Sequence, residues 1–238
     1  MIKNFLASLG FGAAQIDLIL DRDCLTMGET VTGKLVLIGG AVKQIMEGLK
    51  VHFCLASAYP KDDHHVDVNE IVATIPVFEE NFIIEPGETK EYLFQFVCPR
   101  HLPVSSVNTR FFFKTDLEIK SGIDAEDRDM VDVYASGIQR HFLDGFARLG
   151  FKHHNEAYTG KGEDGYQIIY LRPTSWLFGK IEGIEIKYQP ANVDQWVSGF
   201  FKLGEQKGRF HFSAEELASA ELATETIRQF ILWKLNHL

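Results

Sequence analysis

From Gln15 onward, short runs of alternating apolar and polar residues are broken by compact turn chemistry. Ile16, Leu18 and Leu20 open the pattern, Thr26-Met27-Gly28-Glu29 turns the chain, and Val31 to Ile38 resumes it up to Gly39-Gly40. Leu49 to Ala58 reads as a long strand, Tyr59 to His65 as a polar tip, and Glu70 to Phe78 with Phe82-Ile83-Ile84 as the return. Glu85-Pro86-Gly87-Glu88 places Pro and Gly as a type II turn needs them, before the alternation of Tyr92 to Val97. Cys98 to Pro103 interrupts that pattern; Arg110 to Ile119 and Met130 to Val133 complete it. Closely spaced turns without a helical period are the signature of an antiparallel β-sandwich.

Ser136-Gly137 is a joint in this reading. Beyond it, Phe142, Phe146 and Leu149 have helical spacing and end on Gly150. Strands return at Tyr166 to Leu171, Ile181 to Tyr188 and Trp196 to Leu203, with residues 160–165 as a hairpin tip. Ser213 and Glu216 form a capping box ahead of Leu217 to Leu235, which holds neither Gly nor Pro and reads as a long helix. At the other end Ile2, Phe5, Leu6 and Leu9 predict a short amphipathic helix stopped by Gly10. The expected fold is mainly β, with two consecutive antiparallel β-sandwich domains. Residues 1–135 form the first, with the N-terminal helix; residues 136–238 form a sandwich-like second, with a helix at its start and another at its end.

The 19 Phe among 238 residues suit ring-filled packed sheets. The net charge of −9 is unevenly placed: residues 1–135 hold 12 Lys+Arg against 21 Asp+Glu, and residues 136–238 hold 12 of each. An acidic half argues against nucleic acid and anionic lipid and favours a basic protein partner. Cys24, Cys54 and Cys98 are odd in number and form no CxxC pair, which predicts reduced thiols and a cytoplasmic setting. No run approaches the roughly 20 apolar residues of a membrane span, so stable insertion is not expected.

Candidate chemistry is sparse. There is no G-x-S-x-G elbow, and Gly160-Lys161-Gly162 lacks the spacing of a phosphate-binding loop. Asp62, Asp63, His64 and His65 offer donors for Zn²⁺, but adjacent ligands converge poorly on one ion. Asp124 and Asp127, with Glu126 and Asp129, offer oxygens for Ca²⁺ without the glycine and distal glutamate of a calcium loop. Solvated acidic loops explain both sets better, so no metal and no cofactor are expected. His153-His154 beside Glu156 would be the place for acid–base chemistry or a small ligand, yet no nucleophile or oxyanion donor accompanies the pair. Cys54 two residues from His52 is a nucleophile candidate whose plainer reading is a buried thiol. In the final helix Phe230, Ile231 and Trp233 are partner-binding candidates; that face packs within the chain or docks on a partner or a second copy, leaving a homodimer open.

Several stretches, in this order, resemble the arrestin-type sandwich: I-D-L-I-L-D-R-D-C-L-T-M-G-E-T-V-T-G-K-L-V-L-I-G-G (Ile16 to Gly40) and F-I-I-E-P-G-E-T-K-E-Y-L-F-Q-F-V-C-P (Phe82 to Pro99). Gly10 to Ala14, Thr115 to Asp129 and Leu149 to Tyr158 are more narrowly similar to the sporulation-control protein M family. The likeness covers about residues 1–190 (placed by strand and turn spacing), with Met27 standing where that family usually has Pro. It implies two arrestin-like β-sandwiches without catalytic machinery, in a cytoplasmic regulator that acts as a scaffold or adaptor by binding other proteins. The alternatives are a metal- or small-ligand-dependent enzyme built on His153 and His154, and a peripheral membrane adaptor held by the N-terminal helix.

Overall fold

A computed structural model describes residues 12–120 and 124–236; the helix expected over Ile2 to Leu9 lies outside them. The first half is two sheets packed face to face. One has three antiparallel strands in the order β1 (Gln15–Leu20), β3 (Thr30–Ile38), β7 (Thr89–Val97). The other runs β2 (Cys24–Thr26), β9 (Ala125–Tyr134), β8 (Arg110–Ile119), β4 (Gln44–Lys61), β5 (His64–Phe78), with β6 (Phe82–Ile84) beside the start of β4. β2 pairs with β9 in parallel, the exception to an otherwise antiparallel set.

Phenylalanines fill the space between the sheets. Phe53 of β4 lies 4.9 Å from Phe96 of β7 and 5.1 Å from Phe113 of β8, and Phe94 meets Phe113 edge-on at 5.5 Å. Burying each such ring stabilises the fold by roughly 1.5–3 kcal/mol. The polar tip expected over Tyr59 to His65 is narrower here. The strands run to Lys61 and from His64, leaving Asp62 and Asp63 as the turn, with Asp62 at φ 53°. The β4–β5 ladder continues to Lys61 opposite His64, and the second half touches the hairpin where Lys61 Nζ reaches Glu163 at 2.8 Å and Glu70 accepts the Lys161 amide.

The second half differs from the expected sandwich. It is one antiparallel meander of five strands, β10 (Phe151–Tyr158), β11 (Gln167–Pro173), β12 (Ile184–Tyr188), β13 (Trp196–Leu203) and β14 (Gln206–Ser213). Helices α1 (Gly137–Arg148) and α2 (Ala220–Asn236) are packed together and contribute the rings that meet its inner face, where a second sheet was expected. Phe142 of α1 sits against Phe210, Tyr188 and Phe146. Phe230 of α2 meets Phe201 at 5.1 Å and Phe212 at 5.5 Å. The capping box forms as expected, Ser213 Oγ accepting the Glu216 amide and Glu216 the Ser213 amide, but it closes a turn. Leu217 is buried there, and the helix proper starts at Ala220, where Ser219 Oγ accepts the Leu222 amide.

At the crossing of the two helices Gly145 leaves no room for a side chain. A β-carbon there would lie 2.7 Å from Ile227 Cδ1 and 3.1 Å from the backbone of Ala223. Gly145→Val is therefore expected to force the helices apart and cost about 1–3 kcal/mol, lowering Tm by roughly 3–10 °C in a scanning calorimeter. An unchanged Tm would show that the crossing carries little of the stability.

Candidate functional site: the seam between the halves

The segment from Pro99 to Thr109 leaves the first half's sheets and passes beneath the second half. Its backbone groups need partners wherever water is excluded. Gln167, at the start of β11 on the same face as Ile169 and Leu171, supplies two: its Nε2 donates to the Val104 carbonyl at 3.0 Å and its Oε1 accepts the Val104 amide at 3.1 Å. The Tyr188 hydroxyl donates to that Oε1 at 2.9 Å and accepts from Gln139 Nε2 at 3.1 Å; the same Nε2 lies 3.0 Å from the Leu102 carbonyl. Burial pushes the Tyr188 phenol well up and so favours the protonated, donating form, opposed by the Gln139 hydrogen bond.

A second cluster continues the seam. Glu156 Oε1 accepts the Asn108 and Thr109 amides at 2.5 and 2.8 Å, and Oε2 lies 3.1 Å from His153 Nε2. Asn108 Nδ2 donates to the Glu156 carbonyl and to Asn155 Oδ1. Ser57 of β4 joins Thr109 at 3.1 Å and accepts the Tyr158 amide. Burial raises the Glu156 carboxyl, but the His153 contact and the Thr109 and Asn108 amides outweigh it and hold it down to about 2. Two clefts flank the crossing segment. One, of about 400 Å³, is lined by Met27, Gly28, Arg100, His101, Ser136 and Asp194; the other, of about 220 Å³, by Glu70, His101, Tyr158, Lys161 and Asn192. His101, at φ 64°, borders both.

The residues singled out in the sequence fall elsewhere. Asp62, Asp63, His64 and His65 are all exposed at the hairpin tip, and Asp124 is occupied in accepting the Ile119 amide. Asp127 accepts the Leu18 amide at 3.0 Å, so it caps the open edge of β1. Among the described residues no group of three or more such side chains is arranged to hold a metal ion. A bulge at His153 to Asn155 parts the two histidines: His153 turns to Glu156, whereas His154 stacks edge-on with Tyr170. His52 faces Asp116 and Thr74, and Cys54, whose thiol burial pushes up, hydrogen-bonds only to the His52 carbonyl. In α2, Ile231 is fully buried and Phe230 half-buried within the chain, while Trp233 is 54% exposed beneath the Lys234 ammonium. No helix among the described residues is long and apolar enough to cross a membrane.

The sequence does not single out Gln139 or Gln167, offers Tyr188 only as a strand residue, and sets Glu156 beside His153 and His154 without its role toward the Asn108 and Thr109 amides. The available signal was a polar group on an apolar stripe: Gln139 precedes Phe142 and Phe146 at helical spacing, and Tyr188 shares a face with Ile184 and Ile186.

Two expected outcomes follow from these carboxylates. Glu156 titrates below its ordinary 4.5 when folded, so its stabilisation is complete above about pH 4.5 and is lost as pH falls toward 2. In urea unfolding across that window Glu156→Gln should flatten the pH dependence and lose up to about 3 kcal/mol at pH 7. Asp129 has the opposite sign: burial, then Asp127 and Asp17, raise its carboxyl, so stability is lost as pH rises above 3.8. Asp129→Asn should gain about 1–3 kcal/mol at pH 8, and the gain should shrink toward pH 4. A variant no more stable than the parent at pH 8 would contradict the carboxylate repulsion.

A family model described as SpoOM protein matches residues 2–195. The sporulation-control protein spo0M of Bacillus subtilis (strain 168) is 28% identical over 253 residues, an alignment spanning 96% of each chain. The crystal structure of Spo0M from Bacillus subtilis superposes with a TM-score of 0.76 at 24% identity, covering 92% of this chain and 98% of that one. With four-fifths of its length matched by the family model, this chain belongs to the SpoOM protein family.

Proposed function

We propose that the chain is a non-catalytic regulator of the sporulation-control type, acting as an arrestin-like scaffold or adaptor by binding other proteins in the cytoplasm. Membership of the family, whose Bacillus subtilis relative is described as a sporulation-control protein, supports a regulatory role. The observation that carries the adaptor reading is the seam. Its buried polar side chains, Gln139, Gln167, Tyr188 and Glu156, bond to one another and to the crossing segment, which fixes the two halves in one mutual orientation. A satisfied polar network of this kind specifies geometry more than it adds stability. What is held in fixed relation is outward-facing surface. On the three-stranded sheet Leu93 is 96% exposed and lies across Lys34 from Ile19, which is 43% exposed. Apolar side chains on an open sheet are suited to a protein partner, and the acid excess of this half favours a basic one.

Capture with the full chain from its native cell, after brief chemical cross-linking, tests the reading. Specific proteins should be retained by the parent chain and at least fivefold less by Leu93→Glu, whose stability should stay within about 0.5 kcal/mol of the parent because the site is exposed. Nothing retained above an unrelated control, together with turnover of a substrate dependent on His153, would favour the enzyme alternative.

A further inference from the structure

The inner face of the five-stranded sheet is covered by α1 and α2; among the described residues its outer face is open, and it carries a charge that the composition hides. Strand alternation sends Lys152, Arg172, Lys187, Lys202, Lys207 and Arg209 to that face, half of the second half's twelve Lys+Arg, against Glu185 as the only strand carboxylate there. Register sets them in rows. Lys187, Phe200 and Arg209 stand side by side across β12, β13 and β14, and two residues along the same strands Glu185, Lys202 and Lys207 do the same. Among the described residues, Lys187 alone of the six cations has a carboxylate within salt-bridge reach, Asp164 at 3.6 Å.

Aromatic rings lie between the cations. The Lys187 ammonium sits 4.2 Å above Tyr166, the Arg209 guanidinium 5.4 Å from Phe200 and that of Arg172 5.6 Å from Tyr170. Phe200 and Trp196 remain 40% and 43% exposed. All three lie within the roughly 6 Å at which a ring face attracts a cation.

We infer that this face docks a carboxylate-rich, extended protein segment with apolar residues interspersed. An extended chain presents same-side residues about 7 Å apart, the spacing of the two cationic rows along these strands. Single-stranded nucleic acid fits less well, because base stacking needs free ring faces and cations lie over those of Tyr166, Tyr170 and Phe200. The excess acid of the first half also repels a long polyanion. This deepens the adaptor reading by naming one partner's chemistry, and it makes the molecule two-ended: an acidic half for a basic partner and a basic sheet for an acidic one.

Fluorescence anisotropy with the full chain and a labelled fifteen-residue peptide of alternating Glu and Thr with a central Phe tests the assignment. The peptide should bind, weaken at least tenfold between about 50 and 500 mM salt, and lose binding when its Glu are replaced by Gln. Lys202→Glu combined with Arg209→Glu should reduce affinity at least tenfold without moving Tm. Lys152→Glu combined with Arg172→Glu, at the far edge, provides a second variant should the first fold poorly. No binding, or binding indifferent to both charge reversals, overturns the assignment while leaving the adaptor reading to the Leu93→Glu capture. Tighter binding to a fifteen-nucleotide oligothymidine or to phosphatidylglycerol vesicles overturns it in favour of nucleic acid or membrane. Peptide binding that remains while Leu93→Glu retains its partners unchanged supports this face alone.

Discussion

The crossing segment from Pro99 to Thr109 sets the geometry of everything else. Backbone amides and carbonyls that leave a sheet and stay out of water must find partners, and each one left unmade costs about 1–3 kcal/mol. Residues of the second half provide them: Gln167 serves both groups of Val104, Gln139 serves Leu102, and Glu156 serves Asn108 and Thr109. Ser105 ties the same segment back to β9, its Oγ accepting the Val133 amide at 2.7 Å and its own amide reaching the Val133 carbonyl. The segment is thus fastened to both halves along its length. A rotation of one half against the other would break several of these bonds together.

Charge is distributed by the same strand geometry. Two-residue alternation sorts side chains by face, so a stretch with equal acids and bases need not present a neutral surface. In the second half the acids fall mostly on helices and loops, as with Asp144, Glu163, Glu215, Glu221 and Glu225, while the outer strand positions collect lysine and arginine. In the first half acids also gather at a strand edge. Asp127 and Asp129 of β9 lie against Asp17 of β1, and the Asp127 carboxylate stands in for the backbone acceptor that an added strand would offer to Leu18. An edge blocked by carboxylates resists pairing with another chain, a common way of limiting aggregation.

The sequence made strands and turns legible because their period is local. The turn at Glu85 to Glu88 and the helix ending near Gly150 stand where spacing placed them. The second layer of the second half is not legible in the same way, because alternation reveals that a strand has an apolar face, and not whether a sheet or a pair of helices covers it. The seam was illegible for a related reason. Gln167 and Tyr188 read simply as strand residues, and their partners at Leu102, Val104 and Gln139 are brought to them only by the fold. His153 and His154 show the converse: adjacency suggested joint chemistry, and a single bulge directs one to Glu156 and the other to Tyr170.

A protein built this way has a physical reason to act through its outer faces. The phenylalanine cores and the seam together hold each surface at a fixed angle to the others, so two partners bound on different halves would be held in a defined relation without any change of shape. Fixed geometry lowers the ordering cost of the second binding event, because the first partner is already positioned. The opposite polarity of the acidic half and the basic sheet adds direction to that relation. Like charge would exclude a partner from the wrong half at a cost of several kcal/mol, so the two occupants could not exchange places. Orientation and order of assembly would then follow from the strand register that sorted the charges and from the few buried hydrogen bonds that fix one half against the other.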